Sequence, residues 1–308
     1  MGRVIVDAGQ SGVRVVLSRS GESDISREYT GIRSHGNVLE QVASAVETSL
    51  SGIDIRGCWT LAAGITGLTP AHGGANTLLD ALPMVASVAI AHDSATSYLG
   101  AFGHNQGTVL AVGTGVVVLA CATSKVARVD GWGHLLGDAG GGFWIGARGL
   151  AAALEAFDGR APSTSLTGAA LERFGSFSDL PNLVYGDPDR VSAIAAFCIE
   201  VVACAEKGDP ASVAILEEAT DQLARSASAS LDSVQLLDDD RVVSWSGKLI
   251  GASGYVRSLL QIALERNPAR ARLVPPQGTS LDGARVLADL SSTHPLYDAV
   301  SRASRNEK

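Results

Sequence analysis

The sequence predicts an α/β protein with two related lobes and a cleft between them. Three observations lead to this fold class. Short β-branched runs alternate with segments of helical spacing, a strand–turn–strand unit near the start is repeated about a hundred residues later, and Gly is concentrated at strand ends. Gly accounts for 35 of the 308 residues, more than the roughly 7% of an average protein. The chain is long enough to bury a sizeable core and to form two domains.

The repeated unit consists of a β-branched run, a turn rich in Gly and small polar residues, and a second β-branched run. Its two copies are Val4–Val6, Asp7–Gly12 and Val13–Leu17, and then Thr108–Val112, Gly113–Gly115 and Val116–Ala120. The periodicity of each copy predicts a hairpin. Because each copy leads into further strand and helix signals, the sequence predicts that each one opens a lobe.

The remaining elements follow from residue spacing and from helix start signals. In the first half we predict helices at Asn37–Leu50 and Ser94–Phe102 and strands at Cys58–Ala63 and Ser87–Ala91. In the second half we predict helices at Phe143–Phe157, Ser192–Glu206, Ala211–Leu231 and Gly254–Asn267, and a strand at Arg241–Ser244. We place the lobe boundary near Gln106, so that residues 1–106 and a C-terminal helix at about 290–308 form one lobe and residues 107–289 form the other.

Composition and motifs exclude several classes of protein. A net charge of −8 disfavours nucleic acid as a partner, because phosphate binding needs clustered Lys and Arg. The hydrophobic fraction of 46% excludes intrinsic disorder. No apolar run approaches the roughly 20 residues of a membrane helix, and no signal peptide precedes the first strand. The four Cys lack C-x-x-C spacing, so we predict reduced thiols and a cytoplasmic location. Walker A, dinucleotide, nucleophile-elbow and H-E-x-x-H motifs are absent.

The turns of the two repeated units favour phosphate binding. Gly9–Gln10–Ser11 and Gly113–Thr114–Gly115 can each present consecutive backbone N–H groups that a phosphate can approach closely. The hydroxyls of Ser11 and Thr114 add further donors. Asp7 can hold a metal ion or its waters, or it can be an Asx-turn residue. Two such turns at the heads of two similar hairpins predict a nucleotide that is held by its phosphates.

Four motifs occur in a familiar order along the chain: Asp7–Ser11, His92–Ala95, Gly113–Gly115 and Gly131–Asp138. Together they resemble the BadF/BadG/BcrA/BcrD-type ATPases, and within that family the N-acetylglucosamine kinases most of all. The segment Gly131–Gly146, which begins with the last motif, is the most specific. The resemblance extends to Ser246–Lys248 and Leu281–Ala284 and so spans nearly the whole chain. It implies a two-lobed actin-like ATPase fold (ribonuclease H-like), which actin, hexokinase and Hsp70 share.

The resemblance also implies ATP and Mg²⁺ as cofactors, an amino sugar as substrate, and a set of site residues. These are Asp93 as catalytic base, Gly9, Gln10, Ser11, Gly113, Thr114 and Gly115 for the phosphates, Gly247 for adenosine, Asn37, Asp93, Gly133 and Asp138 for the sugar, and Asp7 for the metal. A carboxylate within reach of a sugar hydroxyl can accept its proton as the phosphoryl group arrives. Asp93 could instead cap the following helix, and Asp138 could be a turn residue ahead of the next helix.

The chain departs from the family pattern at three places. The first loop usually reads D-G-G-G-T, and here Ala8, Gln10 and Ser11 replace two Gly and the Thr. The G-D-E-G motif has Ala139 in place of Glu, and the adenosine turn has Ser246 where Gly is usual. The first departure leaves ATP affinity and metal geometry open, and the second leaves sugar specificity open.

The leading hypothesis is an ATP-dependent kinase that phosphorylates the 6-hydroxyl of N-acetylglucosamine or a related amino sugar. One alternative is an activator ATPase of the same family, which would hold an iron–sulfur cluster between subunits through paired Cys. Cys198 and Cys204 fall on one predicted helix instead. The other alternative is a catalytically weakened protein that senses sugar or nucleotide, as Gln10 and Ala139 suggest. Amphipathic helices in the second half could form a homodimer face, although packing within the chain explains them equally well.

Overall fold

The computed structural model describes residues 2–33, 36–53, 58–267 and 270–305. Within these ranges the chain is a mixed α/β protein with two β-sheets. In chain order the strands are β1 (Gly2–Gly9), β2 (Gly12–Arg19), β3 (Ile25–Tyr29), β4 (Trp59–Ile65), β5 (Val85–His92), β6 (Gly107–Val112), β7 (Val116–Cys121), β8 (Val126–Asp130), β9 (Val242–Ser246), β10 (Arg272–Leu273) and β11 (Ser301–Ser304). The helices are α1 (Val38–Leu50), α2 (Ala75–Ala81), α3 (Asp93–Phe102), α4 (Gly142–Phe157), α5 (Leu166–Phe174), α6 (Leu180–Gly186), α7 (Arg190–Ala196), α8 (Cys198–Glu206), α9 (Pro210–Val234), α10 (Lys248–Ala252), α11 (Gly254–Arg266) and α12 (Ser280–Leu287).

The chain divides into two compact units, each with its own sheet. The first unit comprises the described residues of Met1–Gln106, Cys121–Val126 and Pro275–Lys308, and the second comprises those of Gly107–Ala120 and Ala127–Val274. In sequence, the second unit is therefore inserted into the first. The assignment of these units to the two lobes of an ATPase stays a prediction.

The first sheet has the strand order β11-β5-β4-β1-β2-β3. β1 and β2 form the first predicted hairpin, whereas β4 is parallel to both β1 and β5. The carboxyl ends of these three parallel strands therefore share one edge of the sheet. Asp7 in β1 is level with Gly64 in β4, and Gly64 is level with Ala91 in β5. The end of β1 and the start of α3 are thus brought to the same edge.

Helices cover both faces of the first sheet. Val4 and Val6 point to one face, where they pack in a core with the buried sides of α1 and α2. Ile5 lies between them in sequence and points to the other face, where it packs with Ala284 of α12. This alternation is the period of two that a strand imposes on its side chains. α3 packs beside α12, which completes the second layer.

The second sheet has the strand order β10-β9-β6-β7-β8, and β9 is parallel to both β6 and β10. β6 and β7 are neighbours joined by Gly113–Gly115, as the second predicted hairpin requires. α9 packs on β6 and against α8 and α11. Its fully buried stripe includes Leu216, Leu223 and Leu231, which recur at the spacing of one helix face. The mixed α/β fold class is confirmed.

Two predicted helices differ from the structure. The helix predicted at Ser192–Glu206 is interrupted at Phe197, whose side chain is fully buried, and so forms the separate helices α7 and α8. α4 passes so close to α7 that a Cβ on Gly146 would overlap the carbonyl oxygen of Ile194. None of the helices in the described ranges combines the length and apolar character needed to cross a membrane.

The C-terminal helix predicted at about 290–308 is wrong for its described part. Residues 290–305 contain a short 3₁₀ turn and then β11, which pairs antiparallel with β5. Pro295 lacks an amide hydrogen and disfavours a helix across this segment, while the edge of β5 offers unpaired backbone groups. Residues 306–308 lie outside the described ranges. The chain re-enters the first unit at Pro275, and α12 therefore belongs to the first unit.

Candidate active site

The first predicted phosphate loop is the turn between β1 and β2. Gly9 pairs with Gly12, so Gln10 and Ser11 form a two-residue turn, and both are exposed. The Ile32 amide donates to the Gly9 carbonyl oxygen at 2.9 Å, and a Cβ on Gly31 would overlap the carbonyl oxygen of Gln10. The following segment therefore packs against the backbone of the turn and fixes its position.

Two carboxylates lie near the edge where the parallel strands of the first sheet end. Burial, followed by the negative charge of Asp93, raises the pKa of Asp7 to about 6, and the cation of Arg14 opposes this rise. Arg14 is the residue opposite Asp7 in the hairpin. Asp93 is the first residue of α3 and is partly buried. The structure thus brings together the predicted metal residue and the predicted catalytic base.

The alternative role of Asp93 as a helix cap is wrong. The N-cap of α3 is His92, whose Nδ1 accepts a hydrogen bond from the Ser94 amide at 3.2 Å. The same Nδ1 lies 2.8 Å from Oδ1 of Asp93. Nδ1 accepts from the amide when it carries no proton, and in the tautomer with a proton on Nδ1 it donates to the carboxylate instead. His92 thus takes the capping role, and the Asp93 side chain is not needed for it.

The second predicted phosphate loop is held by the start of α4. The amide of Gly142 donates to the Gly113 carbonyl oxygen at 2.8 Å, and the amide of Phe143 donates to that of Thr114 at 2.9 Å. Within the loop, the Gly113 amide donates to the Gly115 carbonyl oxygen at 2.9 Å. The first two amides of the helix therefore bind the loop itself and fix its position.

Gly247 lies beside this loop. β6 and β9 are parallel and in register, with Ala111 opposite Ser246, so the turns that follow them are neighbours. Gly247 has a φ of 104°, and a Cβ on it would overlap the carbonyl oxygen of Val112. Only Gly fits both the backbone conformation and the close approach. The two turns predicted to bind ATP in the second unit are thus brought together.

The Gly131–Gly137 loop carries one of the predicted sugar residues, Gly133, and is followed directly by another. Asp138 follows it, is 8% exposed and has a left-handed backbone with a φ of 60°. Oδ1 of Asp138 accepts a hydrogen bond from the Gly133 amide at 3.3 Å. Burial, followed by the charge of Asp130, raises the pKa of Asp138, while hydrogen bonds from Gly133 and Val116 oppose the rise. Asp130 was not among the site residues predicted from the sequence.

Asn37 has a structural role in the first unit. It is the N-cap of α1, and its Oδ1 accepts hydrogen bonds from the amides of Leu39 at 3.2 Å and Glu40 at 3.4 Å. Its Nδ2 donates to the Glu40 carboxylate at 2.8 Å. The residue is nevertheless exposed, so its sugar-binding role stays a prediction. Residues 34 and 35, just before it, lie outside the described ranges.

The residues near Asp7 fit a magnesium ion. Mg²⁺ keeps several waters and binds through one or two carboxylates together with substrate phosphates. In the described ranges no group of three or more His, Cys, Asp or Glu side chains could hold a metal ion. Asp7 is a partly buried carboxylate whose pKa is raised first by burial and then by the negative charge of Asp93, and a cation would compensate both negative charges.

Comparisons of sequence agree with this geometry. The profile of the BadF/BadG/BcrA/BcrD ATPase family matches residues 4–288. The chain is similar to the N-acetylmuramic acid/N-acetylglucosamine kinase of Clostridium acetobutylicum, with 27% identity over 214 residues that cover 68% of this chain and 70% of that protein. It is also similar to the N-acetyl-D-glucosamine kinase of Dictyostelium discoideum, with 30% identity over 198 residues that cover 61% of each.

Comparisons of structure point the same way. A provisionally assigned N-acetylglucosamine kinase from Chromobacterium violaceum matches with a TM-score of 0.72 and 26% identity, over 93% of this chain and 98% of that one. A ROK family glucokinase from Streptomyces griseus, solved with glucose and AMPPNP, matches with a TM-score of 0.57 and 14% identity, over 94% and 99%. The second likeness shows the fold alone, which is that of actin-like sugar kinases. Since the family profile spans most of its length, the chain belongs to the BadF/BadG/BcrA/BcrD ATPase family.

Proposed function

We propose that the protein is an ATP-dependent kinase that phosphorylates the 6-hydroxyl of N-acetylglucosamine or a related amino sugar. The observation that carries this proposal is the placement of Asp7, near the end of β1, and of Asp93, at the start of α3, on the same carboxyl edge of the first sheet. The carboxylate of Asp7 is suited to bind a cation, and that of Asp93 is suited to accept a proton. The names of the Clostridium and Dictyostelium relatives support an N-acetylated amino sugar as the substrate class.

Asp93 is the proposed catalytic base. A sugar hydroxyl is a weak nucleophile, and a carboxylate within hydrogen-bond reach accepts its proton as the phosphoryl group is transferred. His92 carries the cap of α3, so the carboxylate of Asp93, whose Oδ1 lies 2.8 Å from Nδ1 of His92, is not used as the cap. A bound Mg²⁺ at Asp7 would neutralise charge on the phosphates.

The remaining predicted residues bind the two substrates. The turns Gly9–Ser11 and Gly113–Gly115 are the proposed phosphate-binding segments, and the close approach of Gly247 to β6 favours a nucleotide lying against that backbone. Asn37, Gly133 and Asp138 are the proposed sugar contacts. A homodimer and a cytoplasmic location stay predictions.

The decisive experiment is a substrate screen combined with Asp93→Asn. ADP release is measured with hexoses, hexosamines and N-acetylhexosamines, and the product is identified by mass and by phosphorus-coupled NMR, which locates the phosphate. We expect one N-acetylated amino sugar 6-phosphate. Asp93→Asn should lower kcat by a factor on the order of 10³ and leave calorimetric sugar binding nearly unchanged.

Asp80→Asn is the matched control, because Asp80 is an exposed carboxylate in the same unit. It should keep wild-type kinetics. Turnover by Asp93→Asn at the wild-type rate would sink the assignment of the base. Tight ligand binding without any sugar phosphate would favour the sensing protein, and an iron-containing preparation would favour the activator ATPase. Against the last, burial raises the pKa of Cys198 to about 11 and also raises that of Cys204, which disfavours both thiolates as cluster ligands.

A further inference from the structure

Asp130 ties together the two ends of the Gly131–Gly137 loop. It is the last residue of β8, and its Oδ1 accepts hydrogen bonds from the amide of Gly131 and from the amide of Asp138, both at 2.9 Å. The first amide belongs to the first residue of the loop, and the second belongs to the residue directly after it. A single carboxylate oxygen therefore closes the base of the loop, and Arg128 adds a hydrogen bond to the Gly131 carbonyl oxygen at 3.2 Å.

Asp138 continues this chain of contacts. Its carboxylate accepts the Gly133 amide from within the loop, and it also accepts the amide of Val116. A Cβ on Gly115 would overlap Oδ2 of Asp138, so this carboxylate lies directly against the second phosphate loop. The contacts thus run without a gap from Asp130, through Asp138, to Gly113–Gly115.

The backbone conformation at Asp130 and at Asp138 restricts which amino acids can occupy these positions. Asp130 has a φ of 62° and Asp138 a φ of 60°, in the left-handed region that Gly, Asn and Asp tolerate best among the amino acids. A Cβ on Gly137 would come within 2.5 Å of Oδ1 of Asp130, so the loop is packed closely around the carboxylate. The geometry therefore calls for a short side chain that bears an acceptor oxygen.

We propose that Asp130 is a positioning residue for the acceptor sugar: it fixes Asp138 and the Gly131–Gly137 loop in the conformation that binds the sugar. This inference rests on the proposed function, because Gly133 and Asp138 are the sugar contacts named there. Asp130 acts through the loop amides and through Asp138, and it does not touch the reacting atoms.

The test compares Asp130→Ala with Asp130→Asn. Asn keeps an acceptor oxygen and tolerates the left-handed backbone, whereas Ala leaves two amide donors without their acceptor. We expect Asp130→Ala to raise the KM for the sugar about 10- to 100-fold and to lower kcat by less than about threefold. Asp130→Asn should restore the sugar KM to within about threefold of wild type. Glu172→Ala, which removes an exposed carboxylate from α5 of the same unit, is the control.

The pH dependence of the sugar KM tests whether the charge of Asp130 acts on a carboxylate that binds the sugar. The charged and titratable groups that act on the Asp138 carboxylate are Asp130 and His134. Removing the charge of Asp130 as Asn should move the acid limb of the KM profile to lower pH, because less repulsion then opposes ionisation of Asp138. An acid limb that stays in place would show that ionisation of Asp138 does not govern sugar binding.

Amide hydrogen exchange gives a readout that does not need activity. In Asp130→Ala, peptides spanning residues 131–138 should exchange at least about tenfold faster, while β6 and α9 keep their protection. Asp130→Asn should protect the loop as wild type does. If Asp130→Ala leaves both loop exchange and sugar KM unchanged, or if Asn fails as badly as Ala, the proposal is overturned. A wild-type protein that phosphorylates no sugar would contradict the proposed function instead, and the exchange measurement would still decide the role of Asp130 in the loop.

Discussion

The carboxylate of Asp7 opposes folding at neutral pH. Its pKa is about 6 in the folded chain, against an ordinary value of 3.8, because burial and Asp93 disfavour the charged form. The folded state therefore binds more protons than the unfolded state between these values. It follows that this residue makes the protein less stable as the pH rises through this window, and that the loss persists above it.

Asp7→Asn should consequently stabilise the ligand-free protein. At pH 7.5 we expect the free energy of unfolding to rise by about 1–3 kcal/mol, since one pKa unit corresponds to about 1.4 kcal/mol. The gain should shrink towards pH 5, where Asp7 is mostly protonated in the folded state. Urea titrations at both pH values measure the effect, with Asp80→Asn as the control. A gain that grows on acidification contradicts this account, and kinase activity should be lost throughout.

Among individual residues, those that belong to a local motif could be predicted from the sequence. Gly113–Gly115 and Gly247 are recognisable because the backbone itself must turn or approach another strand. Asp130 could not be found in this way, because its second partner is the amide of Asp138, eight positions further on. An acidic residue between a strand and a Gly-rich turn was the only signal. His92 was missed for a similar reason, since a histidine is an unusual helix cap.

Among the helices, α9 is the one whose start is most strongly specified. The carboxylate of Asp209 accepts hydrogen bonds from the amides of Ser212 at 3.0 Å and Ser165 at 2.8 Å, and from the hydroxyls of Ser212 at 2.7 Å and Thr164 at 2.9 Å. Burial raises the pKa of Asp209, but these hydrogen bonds outweigh it and hold the pKa below its ordinary value. The cap therefore joins the start of α9 to the start of α5.

Asp209→Ala should destabilise the protein by about 1–3 kcal/mol, because buried donors lose their acceptor. Since the pKa is lowered in the folded state, the stabilisation is present at neutral pH and disappears as the pH falls through the ordinary and then the folded value. Wild type and variant should therefore converge in strongly acidic solution. Thermal unfolding at several pH values tests this, with Asp209→Asn expected to lose less. A difference in stability that does not depend on pH would refute the electrostatic part of the argument.

Elements with strong local signals were predicted well, and those that depend on distant partners were not. The β1–β2 hairpin has two β-branched runs joined by a short turn that is bordered by Gly, and α9 has a cap, a proline and a long apolar stripe. By contrast, β3 is mostly exposed, α2 and α6 have seven residues each, and no period is visible in them. β11 has the sequence Ser-Arg-Ala-Ser and becomes a strand only because β5 presents an edge to it.

For the molecule as a whole, β11 links the end of the chain to its first hundred residues. Ala303 is opposite Val88 of β5 and packs against the core of the first unit. The Ser301 hydroxyl accepts a hydrogen bond from the Ala75 amide at 2.9 Å, at the start of α2. The stability of the first unit therefore depends on residues that are more than two hundred positions apart.

Ala303→Pro should test this dependence. Proline cannot donate a strand hydrogen bond and restricts the preceding residue, so we expect a loss of about 2–4 kcal/mol and faster hydrogen exchange in Val85–His92. Ala303→Val keeps the amide and suits a strand, and it should stay within about 1 kcal/mol of wild type. Equal stability of the Pro and Val variants would show that β11 contributes little.

The insertion of the second unit into the first has a consequence for the newborn chain. Translation releases β1–β5 first, and α12 and β11 emerge only after nearly two hundred further residues, which takes about 10–40 s at ordinary rates of synthesis. Throughout this interval Ile5 and Val16 lack the helix that buries them, and the edge of β5 is unpaired. The inserted unit can fold on the ribosome as soon as residue 274 has emerged. Until then the first sheet is incomplete and exposes apolar side chains and an unpaired strand edge. Chaperones that recognise apolar strands should therefore hold the amino-terminal third of this protein during its synthesis.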